Sequence, residues 1–313
     1  MTKATQLSSS TAPRGRPTRY LVFLAAIISL GVVVATVIAW PFLFRWWIER
    51  PFHDYDDRVG VLSGDYYADI DGVGIPDVDN LSGITFDPDR NTLIAVTNQS
   101  PEILELSLDG RLLRRIPTNG LQDPEAIEYL GRGRYLVADE QIQALVEVHI
   151  DDDTSLVDAD GSVRLSIGIE LNGNKGFEGL SYDHDERRIF VAKEKDPLRI
   201  YEISGFPVEE NETLDIHILR DARYDQRLPI GDISGVHLDA TTKHLLILSD
   251  ESRRIIEMDR HKRVIRSLPL LAGRHGLMMD IPQAEGITMD DQGNIYLVSE
   301  PNLFYRFTLS AGD

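Results

Sequence analysis

The stretch GFEGLSYDHDERRIFVAKEKDP, residues 176–197, contains the pattern that decides the fold of this chain. An acidic residue and a glycine open a short run of alternating apolar and polar residues. The turn Asp-His-Asp-Glu and a second apolar run follow. Alternation with a period of two is typical of β-strands, and two such runs around a polar turn are typical of a hairpin. The stretch is therefore predicted to form two antiparallel strands.

The same pattern occurs five times along the chain. Its first residue, called position 1 below, is small or acidic, position 2 is glycine or alanine, and position 4 is polar. The position-1 residues are Ser82, Glu125, Glu178, Ser234 and Glu285, which lie 43, 53, 56 and 51 residues apart. Each copy continues into a second and a third apolar run, and four copies have a more variable fourth run. Units of this length with three or four strands are typical of propeller blades.

The sequence therefore predicts an all-β fold, a β-propeller with five blades over residues 58–313. Six blades are the alternative, if residues 52–80 hold a divergent copy. The fifth copy has no fourth run before the chain stops at Asp313. We expect residues Arg58–Ile70 to supply that strand, because closing the ring removes the exposed sheet edges.

Antiparallel hairpins place the start of each first strand beside the end of the second strand. One end of the propeller is thus predicted to gather ten side chains, called the rim residues here. They are Ser82, Asn98, Glu125, Glu140, Glu178, Glu194, Ser234, Asp250, Glu285 and Glu300. Three further residues, Asn80, Asp123 and Asp232, stand two positions before a copy and are close enough to join them. Lys195 and three other basic residues near the second-strand ends are positioned to pair with rim acids.

Seven of the rim residues are carboxylic acids, and this composition permits several interpretations. Oxygen ligands that converge on an axis suit Ca²⁺ or Mg²⁺, and Glu125, Glu178 and Glu285 are the predicted metal ligands. Crowded carboxylates repel each other unless a cation or protons offset their charge. A cationic ligand, or acids simply solvated around a wide channel, are the alternatives. His237, near the rim, is expected to be buried and hydrogen-bonded.

An apolar segment near the N-terminus predicts a membrane anchor. Residues 20–44 contain no charge, and ~20 apolar residues suffice for a helix to cross the hydrocarbon layer. Four basic residues and no acidic residue precede this segment, which places the N-terminus in the cytoplasm by the positive-inside rule. We expect residues 1–19 to be a cytoplasmic tail, 20–44 a single transmembrane helix and 45–57 a linker. The propeller would then lie outside, in the periplasm of a bacterium with its anchor in the inner membrane.

The overall composition excludes several classes of function. The 313 residues include no cysteine, so disulfides, thiol nucleophiles and Cys-ligated metals are ruled out. The formal net charge of −19 disfavours nucleic acid as a partner, because phosphate binding requires clustered Lys and Arg. The sequence also lacks the His-Glu-x-x-His, Gly-x-Ser-x-Gly and phosphate-loop motifs. Metal-dependent hydrolysis through His ligands, serine hydrolysis of that type and nucleotide hydrolysis therefore have no motif to support them.

Four stretches resemble the bacterial SdiA-regulated (YjiK-like) family. They are LSGITFDPDRNTLIAVTN (81–98), GFEGLSYDHDERRIFVAKEKDP (176–197), DISGVHLDATTKHLLILSDESR (232–253) and IPQAEGITMDDQGNIYLVSEPNLFYRF (281–307). The resemblance implies a membrane-anchored or exported β-propeller related to NHL-type repeats, without an established biochemical activity. Because no activity is implied, our first hypothesis is a non-enzymatic propeller that binds an unknown small ligand or an envelope protein at the rim.

A second, looser resemblance is to a family of enzymes. The Glu-Gly-x-x-x-Asp pattern of residues 285–290 is similar to blades of calcium-dependent lactonases of the gluconolactonase and paraoxonase kind. In those enzymes a glutamate at a strand start and other blade-start oxygens hold Ca²⁺. Glu125, Glu178 and Glu285 match that glutamate, whereas Ser82 and Ser234 stand where those enzymes tend to use Asn or Asp. A calcium-dependent lactonase or esterase is therefore the alternative to a binding protein.

Overall fold

The computed structural model describes Ser29 and residues 60–168, 176–208, 213, 215–221 and 228–310. Apart from Ser29, the predicted cytoplasmic tail, transmembrane helix and linker lie outside the described residues. They stay predictions. Within the described part of the chain, no helix is long and apolar enough to cross a membrane.

The described residues form 21 strands and one short 3₁₀ turn, Val61–Ser63. The strands of the first half are β1 (Tyr66–Gly74), β2 (Leu81–Asp87), β3 (Thr92–Thr97), β4 (Glu102–Leu106), β5 (Leu112–Asn119), β6 (Pro124–Gly131), β7 (Arg134–Asp139), β8 (Ala144–His149), β9 (Val157–Asp158) and β10 (Arg164–Ser166). Those of the second half are β11 (Phe177–Asp183), β12 (Arg188–Lys193), β13 (Arg199–Ser204), β14 (His217–Arg220), β15 (Gly235–Leu238), β16 (Leu245–Ser249), β17 (Arg254–Met258), β18 (Val264–Pro269), β19 (Ala284–Met289), β20 (Ile295–Ser299) and β21 (Leu303–Leu309).

These strands form five sheets, which are the blades of a β-propeller. Blade 1 has the order β2-β3-β4-β5-β9, blade 2 the order β6-β7-β8-β10, blade 3 β11-β12-β13-β14 and blade 4 β15-β16-β17-β18. Blade 5 has the order β19-β20-β21-β1. The first strands of successive blades contact each other, and β19 contacts β2, so the ring is closed. The prediction of an all-β propeller with five blades is confirmed.

Ring closure uses a strand from the N-terminal side, as expected, but further along the chain than predicted. β1 pairs antiparallel with β21, from Tyr66 opposite Leu309 to Gly74 opposite Leu303. The predicted donor, Arg58–Ile70, began too early. Residues 61–63 form the 3₁₀ turn instead, because the backbone N–H groups of Val61 and Leu62 donate to the carboxylate of Glu257 at 2.8 and 2.9 Å.

Close packing of the first strands explains why position 2 is small. A Cβ atom on Gly83 would lie 2.6 Å from the Cα of Ala126 in the next blade. A Cβ atom on Gly286 would lie 2.6 Å from the carbonyl oxygen of Ser82, at the junction of blades 5 and 1. Real Cβ atoms do not approach backbone this closely. The small residue therefore sets the radius of the ring around the axis.

Apolar side chains between neighbouring blades form the core. At the closing junction, Leu93 and Leu104 of blade 1 cluster with Val298 and Phe304 of blade 5, all fully buried. Burying one such side chain contributes ~1.5–3 kcal/mol. Each blade is thus fixed by its two neighbours, and this rigid ring positions the strand ends described next.

Candidate functional site

The structure gathers the rim residues around one cavity at the end of the propeller where the first strands begin. This cavity of about 410 Å³, called the acidic cavity, is lined by nine of the ten, namely Asn98, Glu125, Glu140, Glu178, Glu194, Ser234, Asp250, Glu285 and Glu300. The tenth, Ser82, is buried beside the wall, and its Oγ donates to Glu125 Oε2 at 2.6 Å. All ten side chains therefore belong to one end of the molecule.

β-Bulges place the position-1 glutamates in this cavity. In the pairing of β6 with β7, Pro124 lies opposite Asp139 and Ala126 opposite Ala138, so Glu125 is an extra residue. Glu178 and Glu285 are extra residues in the same way within β11 and β19. A bulge re-aims a side chain and disturbs the strict alternation of a strand. Position 1 and position 4 can therefore both face the axis, although they are three positions apart.

A recurring backbone hydrogen bond fixes the residues that follow the second strands. The N–H of Asn98 donates to the carbonyl of Asn80, and the N–H of Glu140 donates to that of Asp123. Glu194 and Glu300 make the equivalent bonds to the residues two before position 1 in their blades, Gly176 and Gln283. The end of each of these second strands is thereby tied to the entry of its first strand.

The acidic cavity has one cationic side chain among its lining residues. Lys195 Nζ lies 2.5 Å from Glu194 Oε1 and 3.1 Å from Glu251 Oε1, so the expected pairing of Lys195 with a rim acid is present. Nine carboxyl groups line the same cavity: Glu125, Glu140, Glu178, Glu194, Asp232, Asp250, Glu251, Glu285 and Glu300. The lysine offsets the charge only on the side of blades 3 and 4.

The side of blade 2 holds three carboxyl groups close together. Asp123, Glu125 and Glu140 each present an oxygen, and these oxygens lie within 4.8 Å of one another. Only Glu125 belongs to the predicted metal trio of Glu125, Glu178 and Glu285. Glu125 also accepts hydrogen bonds from Ser82 Oγ and, at 3.3 Å, from Asn98 Nδ2. Glu125 therefore belongs both to the predicted metal trio and to this cluster of three carboxyl groups.

Burial and mutual repulsion raise the pKa values of these acids. Desolvation, opposed by the Ser82 hydrogen bond and reinforced by the charges of Asp123 and Glu140, raises the pKa of Glu125 from 4.5 to about 7. Desolvation and the charges of Glu300 and Asp250 raise the pKa of Glu285 to about 8. At neutral pH the cavity therefore holds protons as well as negative charge.

Glu178 faces the charges of four other glutamates in the cavity. Burial raises its pKa well above 4.5, and the neighbouring charges of Glu125 and Glu285 raise it further. Within the described part of the chain, no hydrogen bond or salt bridge reaches its carboxyl group. The side chain nevertheless lines the acidic cavity. Among the described residues, its oxygens therefore face the cavity without a partner.

The lining of the acidic cavity includes three side chains that were not predicted as rim residues, namely Lys195, Glu251 and Gln283. It also includes Asp232, which the sequence placed close enough to join the rim residues. Gln283 lies two residues before position 1, where Asn80 and Asp123 had already been noticed. Its Nε2 donates to Glu300 Oε2 at 2.8 Å. Glu251 simply follows Asp250, and its contact with Lys195 crosses from blade 3 to blade 4. The repeat pattern contains the signal for Gln283 but none for Glu251.

The fold and this cavity define a class of protein, a five-bladed β-propeller with an acidic cavity at one end of its axis. A model of the SdiA-regulated family matches residues 59–308, which is most of the chain. The chain belongs to this family, as its sequence motifs indicated.

Several solved structures are similar to the chain at low sequence identity. A luciferin-regenerating enzyme superposes with a TM-score of 0.50 at 13% identity, over 79% of this chain and 95% of that one. A streptogramin B lyase gives a TM-score of 0.45 at 10% identity, over 78% and 98%. A gluconolactonase from Xanthomonas campestris gives 0.44 at 14% identity, over 74% and 72%. At these identities the likeness concerns the fold alone.

Proposed function

We propose that this protein is a membrane-anchored binding propeller whose acidic cavity takes a divalent cation. Residues 20–44 would anchor it in the bacterial inner membrane, with the N-terminus in the cytoplasm and the propeller in the periplasm. The cation would hold a small ligand or an envelope protein at the mouth of the propeller. Ca²⁺ suits this cavity better than Mg²⁺, because Ca²⁺ accepts six to eight oxygen ligands in flexible geometry.

The observation that carries the proposal is the state of Glu178. Glu178 is partly buried, and a carboxyl group withdrawn from water normally has a hydrogen-bond or ionic partner, because an unpaired charge is costly to desolvate. Glu178 has none among the described residues, and carboxyl groups of four other residues raise its pKa. A divalent cation bound among these groups would supply the missing partner. It would also replace the protons that the cavity otherwise holds.

The ligands of such a cation would come from two groups that share Glu125. Asp123, Glu125 and Glu140 offer three oxygens at one side of the cavity. Glu178 and Glu285 face the same cavity from blades 3 and 5. Carboxylate oxygens from several blades would make the affinity depend on the closed ring.

Thermal unfolding of the full-length protein tests the proposal. A ligand that binds only the folded state stabilises it by about 2.7 kcal/mol at a hundredfold excess over its Kd. For a domain of this size, Ca²⁺ should therefore raise the Tm by roughly 5–10 °C, and EDTA should reverse the rise. Glu178→Gln should abolish this response to Ca²⁺.

Glu186→Gln is the matched control for this experiment. Glu186 belongs to the same blade but is exposed and pairs with Arg188 at 2.9 Å, outside the acidic cavity. This variant should keep the full response to Ca²⁺. Absence of bound metal in the purified protein, together with an unchanged Tm on adding Ca²⁺ or Mg²⁺, would contradict the proposal.

A calcium-dependent hydrolase is the second candidate function, and the Glu285 carboxyl group favours it. With a metal held by Asp123, Glu125 and Glu140, Glu285 would be available as a general base. Its pKa of about 8 lies near neutral pH, where general acid-base catalysis is efficient. The metal would polarise the carbonyl group of a lactone or ester. Lactone hydrolysis that requires Ca²⁺ and is lost in Glu285→Gln would establish this function over simple binding.

A further inference from the structure

A second cavity lies at the other end of the first strands, where they run into their turns. It has a volume of about 440 Å³, within the range of ~300–1,000 Å³ that is typical of small-molecule sites. Side chains at position 4 line it, among them Thr85, Glu128, His237 and Thr288, together with Tyr129 and Tyr182. We call it the aromatic cavity. The acidic cavity and the aromatic cavity have no lining residue in common.

In four blades, the position-4 side chain links its first strand to the next blade by a hydrogen bond. Each accepts a hydrogen bond from a backbone N–H of the next blade: Thr288 from Phe86 at 3.1 Å, Thr85 from Tyr129 at 3.2 Å, Glu128 from Tyr182 at 3.0 Å and Ser181 from Leu238 at 2.9 Å. His237 is the fifth member of this ring. No hydrogen bond joins its imidazole to any described residue, in contrast to the hydrogen-bonded histidine that the sequence led us to expect. Its ring nitrogens therefore remain available to a ligand in the aromatic cavity.

The inner part of the aromatic cavity is polar without being charged. Burial raises the pKa of Glu128 to about 8, so this carboxyl group is largely protonated at neutral pH. Burial lowers the pKa of His237 to about 4, so its imidazole is neutral. A neutral imidazole offers one donor and one acceptor. An ionic ligand would meet no counter-charge from either group.

Two acidic side chains of the cavity wall accept hydrogen bonds from residues of their own turns. Asp290 accepts from the N–H groups of Gln292 and Asn294, each at 2.9 Å, and from Tyr296 Oη at 2.7 Å. Asp239 accepts from Thr242 N–H and Oγ1, each at 2.6 Å. Asp291, the remaining acid of the lining, is exposed to solvent. A cation therefore finds little unpaired charge here, and an anion meets only repulsion.

Aromatic rings form one side of the cavity. The rings of Tyr182 and His184 meet edge to face, with centroids 4.8 Å apart, and the rings of Tyr129 and His184 lie 6.2 Å apart. Such a surface packs against the C–H face of a saturated ring. Neutral donors and acceptors beside an aromatic surface are the combination that a neutral sugar requires, because its hydroxyl groups both donate and accept.

We propose that the aromatic cavity binds a neutral carbohydrate ring of monosaccharide size, with His237 as the residue that hydrogen-bonds its hydroxyl groups. This site is separate from the cation site proposed above. Loss of one function should leave the other intact.

Calorimetry with the full-length protein, in a detergent without a sugar head group, tests this inference. The probes are glucose, galactose and mannose as neutral hexoses, with glucosamine and glucuronate as charged counterparts. At least one neutral hexose should bind at millimolar concentration, at least tenfold more tightly than either charged sugar. His237→Leu should weaken binding at least tenfold without lowering the Tm, because His237 bonds to no neighbouring blade.

Two further variants make the result decisive. His237→Phe keeps an aromatic ring without its nitrogens and should weaken binding as His237→Leu does, which covers the case in which His237→Leu does not fold. Glu178→Gln alters only the acidic cavity and should bind the sugar like the unmodified protein. The inference is overturned if no neutral hexose binds, if a charged sugar binds as tightly or more tightly, or if either His237 variant folds and binds the sugar like the unmodified protein.

Discussion

Glu178 is the single residue on which the proposed cation site depends most. It is the extra residue of a bulge in β11 and lines a cavity together with carboxyl groups from blades 2, 4 and 5. An ionised Glu178 would be both desolvated and repelled. The pKa of its carboxyl group is raised in the folded protein and is about 4.3 in an unfolded chain. Folding therefore takes up protons at this site.

That uptake predicts how Glu178→Gln affects the metal-free protein. A carboxyl group whose folded pKa is raised costs stability as the pH rises from the unfolded value towards the folded one. The stability of the variant relative to that of the unmodified protein should therefore increase between pH 5 and pH 8, and at pH 8 the variant should be the more stable of the two. Urea unfolding at both pH values measures the difference. Equal or lower stability of the variant at pH 8 would contradict the repulsion argument.

The sequence allowed us to predict the rim residues because they occur at the same places in each of the five repeats. Position 1 recurs five times, and hairpin geometry alone brings it beside the second-strand ends. The bulges were not predictable, because a strand sequence does not reveal where one extra residue is inserted. Nothing in the sequence indicated that position 4 lines a cavity, and His237, predicted near the rim, lines the aromatic cavity at the other end of the first strands instead. Glu251 was missed because its contact with Lys195 depends on how neighbouring blades pack.

At the scale of the element, the first strands determine the geometry of both cavities. Their position-2 residues touch the backbone of the next blade, so the strands are as close as backbones allow. The same strands carry position 1 towards one end and position 4 towards the other. A change in their spacing would disturb both cavities and the ring itself.

Gly83→Ala tests this spacing. The new Cβ would lie 2.6 Å from the Cα of Ala126, and the strands would have to separate. Overpacking of this kind costs ~1–3 kcal/mol. Gly161→Ala is the control, because no atom lies within 4 Å of its Cβ position. We expect a clear fall in the urea midpoint for Gly83→Ala and none for Gly161→Ala. Equal midpoints would show that the strands are not closely packed.

The elements themselves were largely predictable, except at the edges of the ring. Alternating runs and Asp- or Gly-containing turns indicated the strands of every blade. The closing strand was predicted to start eight residues and to end four residues too early, because the apolar Val61 and Leu62 resemble the start of a strand. Their backbone N–H groups bind Glu257 of blade 4 instead, and no local pattern reveals a contact across 196 and 195 residues.

At the scale of the whole propeller, the closed ring brings acids from four blades into one site. The chain has a formal net charge of −19, and nine carboxyl groups of the acidic cavity share one lysine. Ring closure forces these groups together, so protons or a cation must offset their charge. Binding of a cation and release of protons are therefore the same event on this account.

Proton release on addition of Ca²⁺ tests this account most directly. The metal-free full-length protein is titrated with Ca²⁺ at pH 7 in a weakly buffered solution that contains a pH indicator. Glu125, with a pKa of about 7, is partly protonated at this pH and Glu285, with a pKa of about 8, is mostly protonated, so both should release protons to the solution when the metal binds. The account predicts saturable acidification with close to one proton or more per bound Ca²⁺, and none in Glu178→Gln. Titration without acidification, or the same acidification in Glu178→Gln, would contradict it.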